Sequence, residues 1–363
     1  MKQNSKFLLI GLLVLSILIS ISAINATDDN TSMNAIKTAD NTQDLLNTQT
    51  NTIQKNNSIK SITKSENKNI KNENTNNKIK TQKIENNKIN SDTVYKNSKK
   101  DYTVNNYEEL YNTIDSIKHS STNNEETVSL NEGTYTITNT ITWDINKTLI
   151  INGNGKTIIN GTQTNQFMII GATSSVILNN IIIADCHAEK GGAIYDEGTL
   201  RINNVSFINN TVPANGGAIY TTAGSSLFIE KSTFDSNKQT EHVSGNSKGY
   251  NGGALSVRGT LYINDSTFIN NLASYTNTET DSDGGNGGAI AFVTSTNDLT
   301  ITNSRFDNNS ARHGGAILIM NLNSDEGTRT IKNVTFTNNQ GVYGTIVTYN
   351  TLTINNSTFK NNI

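Results

Sequence analysis

The sequence predicts an all-β fold, a right-handed single-stranded parallel β-helix over residues 101–363 with a short N-terminal capping helix. Three observations predict it. Two short motifs alternate along the chain, apolar residues recur at fixed offsets from them, and each repeat is too poor in apolar residues to close a core alone. A β-sandwich also has short, regularly spaced strands, but it does not require the same side chain at the same offset six times.

Two motifs define the repeat. Gly-Gly-Ala followed by an aliphatic residue occurs at Gly191–Ile194, Gly216–Ile219, Gly252–Leu255, Gly287–Ile290 and Gly314–Ile317, with a degraded copy at Tyr343–Ile346. Phe-x-x-Asn occurs at Phe207–Asn210, Phe234–Asn237, Phe268–Asn271, Phe306–Asn309, Phe336–Asn339 and Phe359–Asn362. The two motifs alternate without exception, as expected if each repeat is one coil of a solenoid.

Leucine lies seven residues before most of these phenylalanines, and isoleucine lies five before. The pairs are Leu200 and Ile202, Leu227 and Ile229, Leu261 and Ile263, Leu299 and Ile301, and Leu352 and Ile354. A spacing of two is typical of a strand with one buried face. The coil of Phe336 has Arg329 in the leucine slot, and in an earlier coil Cys186 takes the asparagine slot. We therefore expect inward ladders of Leu, Ile and Phe, an amide ladder at a turn, and close wall-to-wall approach at each Gly-Gly.

The start of the domain has a different pattern. Apolar residues between Tyr107 and Lys118 have helical spacing, which predicts a helix that covers the first strand edge. The segment Leu149–Gly161 has the Ile/Gly/Asn texture of an earlier coil. At the other end, Ile363 directly follows a Phe-x-x-Asn motif without a capping element, so we expect a truncated gene, a partner or a second copy there.

Residues 1–26 are predicted to be a signal peptide, cut after Ala23 or Ala26, because the apolar run after Lys2 and Lys6 is shorter than the ~20 residues of a spanning helix. Residues 27–100 predict a disordered tether rich in Asn, Lys and Thr. The tether has 13 Lys against 8 acidic residues, and the body from Asp101 has 14 Lys and Arg against 23 acidic residues. The basic tether suggests contact with an anionic cell-wall polymer; compositional drift is the alternative.

The alternation of Gly-Gly-Ala-aliphatic with Phe-x-x-Asn resembles the polymorphic outer membrane protein repeat of surface adhesins and archaeal adhesin-like proteins. The opening "YEELYNTI…VSLNEGTYTI…LIINGNGKTIING" resembles the first coils of pectin-lyase-like β-helices. The resemblance covers the chain from about Tyr102 to its end. It implies a secreted protein of the cell surface or envelope and, less specifically, adhesion.

Two insertions mark a candidate binding face. Residues 238–251 and 272–286 lengthen consecutive coils at the same position, so they are expected to lie side by side, as binding insertions of solenoids do. The candidate ligand-binding residues, for a surface glycan or a protein, are His242, Tyr250, Tyr275, Glu279, Asp281 and Asp283. Glu279, Asp281 and Asp283 are also weak calcium candidates, since alternate acidic oxygens can ligate Ca²⁺. Tolerated surface loops and solvated acids are the alternatives.

The sequence predicts no catalytic site and no cofactor. Polysaccharide lyases and hydrolases need clustered carboxylates, and none recur at matched offsets; the basic Arg329–Lys332 lacks partner motifs. Cys186, His187 and His313 lack the spacing of a zinc site. No nucleic-acid patch and no membrane span after signal cleavage are expected. The leading hypothesis is a noncatalytic adhesin-like protein; an exported carbohydrate-active enzyme and a structural envelope component are the alternatives.

Overall fold

The structure is a computed structural model that describes residues 101–241, 250–274, 284–294, 296–320 and 327–363. The predicted signal peptide (1–26) and tether (27–100) lie outside these ranges. The described chain winds as a right-handed parallel β-helix whose walls are three parallel sheets. The predicted fold class is therefore confirmed.

Sheet 1 is the widest wall, because most coils contribute two strands to it, one on each side of a sharp corner. Equivalent residues of successive coils are in register, so Leu227 pairs with Leu200 on one side and with Leu261 on the other. Its strands are Asp101–Val104, Glu125–Leu130, Gly133–Thr136, Thr148–Asn160, Ser175–Ala184, Thr199–Asn203, Ser206–Ile208, Ser226–Glu230, Thr233–Asp235, Thr260–Asn264, Thr267–Ile269, Leu299–Thr302, Arg305–Asp307, Arg329–Lys332, Thr335–Thr337, Thr353–Asn355 and Thr358–Lys360.

Sheets 2 and 3 complete each coil. From Ile194 onward, each strand of sheet 2 begins with the aliphatic residue of a Gly-Gly-Ala motif or of its degraded copy. The strands of this sheet are Ile141–Trp143, Met168–Ile170, Ile194–Asp196, Ile219–Thr221, Leu255–Val257, Ile290–Val293, Ile317–Met320 and Ile346–Thr348. Sheet 3 follows the Phe-x-x-Asn turn, and its two-residue strands are Thr211–Val212, Lys238–Gln239, Leu272–Ala273, Ser310–Ala311 and Gln340–Gly341.

The predicted bounds of the two insertions were wrong at their first residues. Lys238 pairs with both Thr211 and Leu272, so Lys238–Gln239 and Leu272–Ala273 are strands of sheet 3. Pairing with the neighbouring coil satisfies the backbone groups of these segments, whatever their side chains. The insertions therefore begin after Gln239 and Ala273.

The core consists of the predicted ladders. Rings of successive phenylalanines stack nearly parallel, with centroids 4.8 Å apart between Phe207 and Phe234, between Phe234 and Phe268, and between Phe268 and Phe306. Phe336 and Phe359 continue the stack at 5.1 and 4.7 Å. Beside it run the columns of leucines and isoleucines, which are nearly or fully buried in most coils. In the last coil Phe359 is 46% exposed.

The predicted amide ladder is present at the turn after each phenylalanine. The side-chain Nδ2 of Asn237 donates to Asn271 Oδ1 at 3.0 Å, and Asn271 donates in the same way to Asn309 at 2.9 Å. The residue before each ladder asparagine has a left-handed backbone, for example Asn270 with φ 57°. This conformation suits asparagine better than most side chains, which accounts for the Asn-Asn pairs.

A second corner was not predicted from the sequence. It lies between the two sheet 1 strands of a coil, and it again has a left-handed residue, such as Asn303 with φ 51°. Serine hydroxyls form a ladder just after it: Ser266 Oγ accepts from the Ser232 backbone N–H, and Ser304 Oγ accepts from that of Ser266, both at 3.1 Å.

The Gly-Gly step is a close approach between coils, as predicted. A Cβ atom added to Gly217 would lie 2.0 Å from the carbonyl oxygen of Gly253 in the next coil. Gly216 also has φ +67°, a backbone conformation that glycine adopts without strain. Both glycines of the motif are therefore required, each for a different reason.

The predicted capping helix is confirmed as α1, Tyr107–Ser120. Asn106 caps its N-terminus by accepting a 2.9 Å hydrogen bond from the Glu109 backbone N–H, and Leu110 and Ile114 are buried against the first coils. The structure adds the strand Asp101–Val104 before the helix, paired with Glu125–Leu130. Within the described ranges, no helix has the length and apolar content to cross a bilayer.

Candidate ligand-binding face

One of the six predicted site residues, Tyr250, lies in the described part of the chain. His242, Tyr275, Glu279, Asp281 and Asp283 lie outside it, and so does the calcium candidate. Among the described residues, no group of three His, Cys, Asp or Glu side chains is arranged to hold a metal ion.

Tyr250 lies on the outer face of sheet 2. Its carbonyl oxygen accepts a 2.7 Å hydrogen bond from Ser256 Oγ. Ser256 points outward from its strand and pairs in register with Tyr220 of the preceding coil. The guanidinium of Arg258 lies 5.5 Å from the centroid of the Tyr250 ring, within the range of a cation–π contact.

Tyr195 and Tyr220 extend the same face. Both follow the aliphatic residue of a Gly-Gly-Ala motif and pair in register, and their rings stack with centroids 5.4 Å apart. The Lys190 ammonium lies 5.6 Å from the centroid of the Tyr220 ring. We call Lys190, Tyr195, Tyr220, Tyr250 and Arg258 the tyrosine face.

The hydroxyl of Tyr195 donates a 3.2 Å hydrogen bond to Glu197 Oε1. Burial, and then the nearby Glu197 carboxylate, raise the pKa of Tyr195 above its usual value. The hydroxyl therefore stays protonated at neutral pH and remains a hydrogen-bond donor.

A cleft of about 290 Å³ opens beside Tyr195. Its wall combines the Tyr195 ring and Ile169 with polar groups from Gln166, Glu189 and Lys190. An apolar surface with a few convergent polar groups is the usual composition of a ligand site.

Sequence reasoning missed Tyr195 and Tyr220. The signal is present, because "GGAIY" occurs twice and strand alternation directs the residue after the buried isoleucine outward. The sequence prediction was based instead on the two long insertions, and of the three tyrosines on this face it therefore included only Tyr250.

The cysteine and the two histidines noted in the sequence each contact neighbouring residues of the fold. Cys186 is fully buried, and its backbone N–H donates 2.9 Å to Asn210 Oδ1, so it occupies the ladder slot as predicted. Burial raises the pKa of its thiol above the usual range. The His187 ring nitrogen Nδ1 lies 3.0 Å from Thr211 Oγ1, and the His313 ring stacks on Tyr343 at 4.7 Å.

Arg329 lies in the leucine column, as predicted. It pairs in register with Leu299, is 3% exposed, and donates a 2.8 Å hydrogen bond to the Gly327 carbonyl oxygen. A side chain in this position does not reach the outer faces of the helix.

A family model for the Chlamydia polymorphic membrane protein repeat matches residues 204–222. The matched stretch runs from the corner at Asn204 through the buried Phe207 to Tyr220 of sheet 2. The chain therefore contains a repeat of this type at residues 204–222. In three dimensions, this repeat unit supplies a sheet 1 strand, a sheet 3 strand and a sheet 2 strand, with the Gly-Gly approach between the last two.

No curated protein matches the chain by sequence. Among solved structures, the PL6 family alginate lyase AlyGC is similar over 72% of this chain and 40% of its own, with 15% identity and a TM-score of 0.33. The chain thus spans two fifths of that lyase's length.

Proposed function

We propose that the protein is a noncatalytic, adhesin-like protein of the cell surface that binds a glycan on the tyrosine face. The observation that carries the proposal is the set of three tyrosines on successive coils, two of them with a cation within 5.6 Å of the ring centroid. The repeat type and the predicted signal peptide support a surface location.

The chemistry of the tyrosine face suits a sugar. The half-buried rings of Tyr195 and Tyr250 offer flat apolar surface to the C–H face of a pyranose, and their hydroxyls offer polar contacts at the edge. Tyr220 is only 6% exposed, so it supports this surface by stacking on Tyr195. Lys190 and Arg258 supply N–H donors, and Glu197 supplies an acceptor. The rings of Tyr195 and Tyr220 are mounted on strands and Tyr250 lies in the turn before a strand, so these rings lose little conformational entropy on binding.

A glycan array probed with the exported full chain tests the proposal. We expect Tyr195→Thr combined with Arg258→Gln to weaken binding at least about tenfold, because a ring surface and a donor are both removed. Tyr349→Ala is the matched control, since Tyr349 is 64% exposed in the last coil and lies away from the tyrosine face. If the double variant and the native chain bound glycans equally well, the glycan-binding site would not lie on the tyrosine face.

Two other outcomes would replace the proposed function. Release of unsaturated or reducing sugars from a polysaccharide panel, abolished by Glu189→Gln with Glu197→Gln, would establish an exported carbohydrate-active enzyme. Binding to host or envelope proteins but to no glycan, lost in the same tyrosine-face variant, would establish a protein ligand.

A further inference from the structure

A second column of large side chains lies on the outer face of sheet 1. Arg201, Phe228 and Tyr262 occupy one outward position on three successive coils and pair in register. Strand alternation places each of them between two inward residues, the leucine and isoleucine of its coil. In other coils the same position holds Ile150, Ile177, Thr300 and Thr330. The cation and the rings are therefore confined to three coils, and we call them the aromatic column.

The aromatic column forms a continuous platform. The Arg201 guanidinium carbon lies 4.0 Å from the centroid of the Phe228 ring, and the centroids of Phe228 and Tyr262 are 6.4 Å apart. The planes of these two rings are inclined by 43°. Arg201 is exposed, and Phe228 and Tyr262 are half-buried. Large rings that remain half-exposed on an outward strand position offer apolar surface to a ligand.

A polar row accompanies the platform. Two residues further along the same strands, Asn203, Glu230 and Asn264 also point outward and pair in register. With the aromatic column, Asn203 and Glu230 line a cleft of about 270 Å³. One cation and one anion line this cleft, so its local charge balances, which favours an uncharged ligand over an acidic one.

We propose that the aromatic column binds a neutral polysaccharide that lies across the coils. Pyranose rings stack on Phe228 and Tyr262 through their C–H faces, while Arg201, Asn203, Glu230 and Asn264 hydrogen-bond the hydroxyls. Successive coils are separated by about 4.8 Å, so the three-coil platform covers about 10 Å along the helix axis. This length accommodates two or three sugar units.

The aromatic column and the tyrosine face lie on different walls, sheet 1 and sheet 2. The second site therefore goes beyond the proposed function, and each can fail without the other. If both bind, one molecule engages two glycan chains at once and gains avidity.

Titration of the exported full chain with cellohexaose, xylohexaose and mannohexaose, with oligogalacturonate as the anionic comparator, tests this site. The test variant is Phe228→Thr with Tyr262→Thr, because threonine occupies the same column at Thr300 and Thr330 and is compatible with the strand. We expect the native chain to bind at least one neutral hexasaccharide and the variant to bind it at least about tenfold more weakly.

Three further variants make the test specific. Thr330→Ala, two coils beyond Tyr262 in the same column, and Tyr349→Ala, in the last coil, are expected to leave the affinity for the neutral hexasaccharide unchanged. Thr300→Tyr extends the platform by one coil, so it is expected to increase that affinity. Unchanged circular dichroism and unfolding temperature establish that each variant is folded.

The proposal is overturned if the native chain binds no neutral hexasaccharide, or if the double threonine variant binds it as the native chain does. Binding limited to oligogalacturonate and lost in the variant would assign an acidic glycan to the column and overturn the neutral class. A protein ligand captured through the column, with no oligosaccharide bound, would also overturn it.

Discussion

Asp196 is an acidic residue at an inward position of sheet 2, where the register neighbours are Ile170 and Thr221. Its Oδ1 accepts a 2.9 Å hydrogen bond from the Gly198 backbone N–H, and its Oδ2 has no hydrogen-bond partner among the described residues. Burial raises the pKa of this carboxyl to about 7, from the usual 3.8. The folded structure therefore favours the protonated form of the Asp196 carboxyl group.

This raised pKa predicts how stability depends on pH. Between about pH 4 and pH 7 the folded chain retains a proton that the unfolded chain has lost, so the contribution of Asp196 to stability is full below pH 4 and is lost as pH rises through 7. The loss is at most about 1.4 kcal/mol per pH unit. Asp196→Asn removes the titration and keeps the Oδ1 acceptor.

We therefore expect Asp196→Asn to be more stable than the native chain at pH 8 and to lose that advantage by pH 4, measured by urea unfolding across the pH range. The matched control is Asp265→Asn, an exposed corner residue whose neighbour in the next coil is Asn303. A stability difference for Asp196→Asn that does not change with pH would contradict a buried, protonated Asp196.

At the scale of elements, the phenylalanine ladder dominates the packing of sheet 1. Phe268 is fully buried between two rings at 4.8 Å, whereas Phe359 contacts one ring and is 46% exposed. Phe268→Ala is expected to reduce the free energy of unfolding by ~3–5 kcal/mol, because it opens a cavity that rigid walls cannot fill. Phe359→Ala, as the control, should reduce it by less than about 2 kcal/mol. Equal losses in urea unfolding would mean that Phe268 is not enclosed by its neighbours.

The asparagine ladder makes a second prediction at this scale. Asn271 Oδ1 accepts from both the backbone N–H and the side chain of Asn237, and Asn271 Nδ2 donates to the Phe234 carbonyl oxygen at 2.9 Å. Asn271→Ala leaves these buried groups without partners, so we expect a loss of about 2–4 kcal/mol in thermal or urea unfolding. Asn362→Ala, at the more open end of the ladder, is the control and should lose less. A loss below about 0.5 kcal/mol for Asn271→Ala would contradict the ladder.

The sequence predicted the columns because each column is a fixed offset that recurs in every coil, as with Phe207 and Phe234. It did not predict Lys238–Gln239 as a strand, because what makes it one is pairing with Thr211 in the preceding coil, and not the nature of its two side chains. The same limit applies to the tyrosine face and the aromatic column. Each of these surfaces depends on which residues of neighbouring coils are paired. Because the coils differ in length, this pairing can be read from the structure but not from spacing in the sequence.

At the scale of the whole molecule, the central claim is that successive coils lie directly on one another in register. Glu230 and Asn264 are 34 positions apart in the chain but are direct Cα partners in sheet 1, and both point outward. Neighbouring strands lie about 4.8 Å apart, which is within the Cα separation that a disulfide spans. Thr302 pairs with Asn264 and is therefore two coils away from Glu230.

The most direct test is disulfide formation in two double variants, scored by intact mass and peptide mapping after mild oxidation. Glu230→Cys with Asn264→Cys is expected to form an intrachain disulfide nearly quantitatively. Glu230→Cys with Thr302→Cys is expected to remain reduced, because two coil spacings exceed the reach of the bond. Failure of the first pair to close, or equal closure of both pairs, would contradict the stacked, in-register coils on which both proposed binding faces depend.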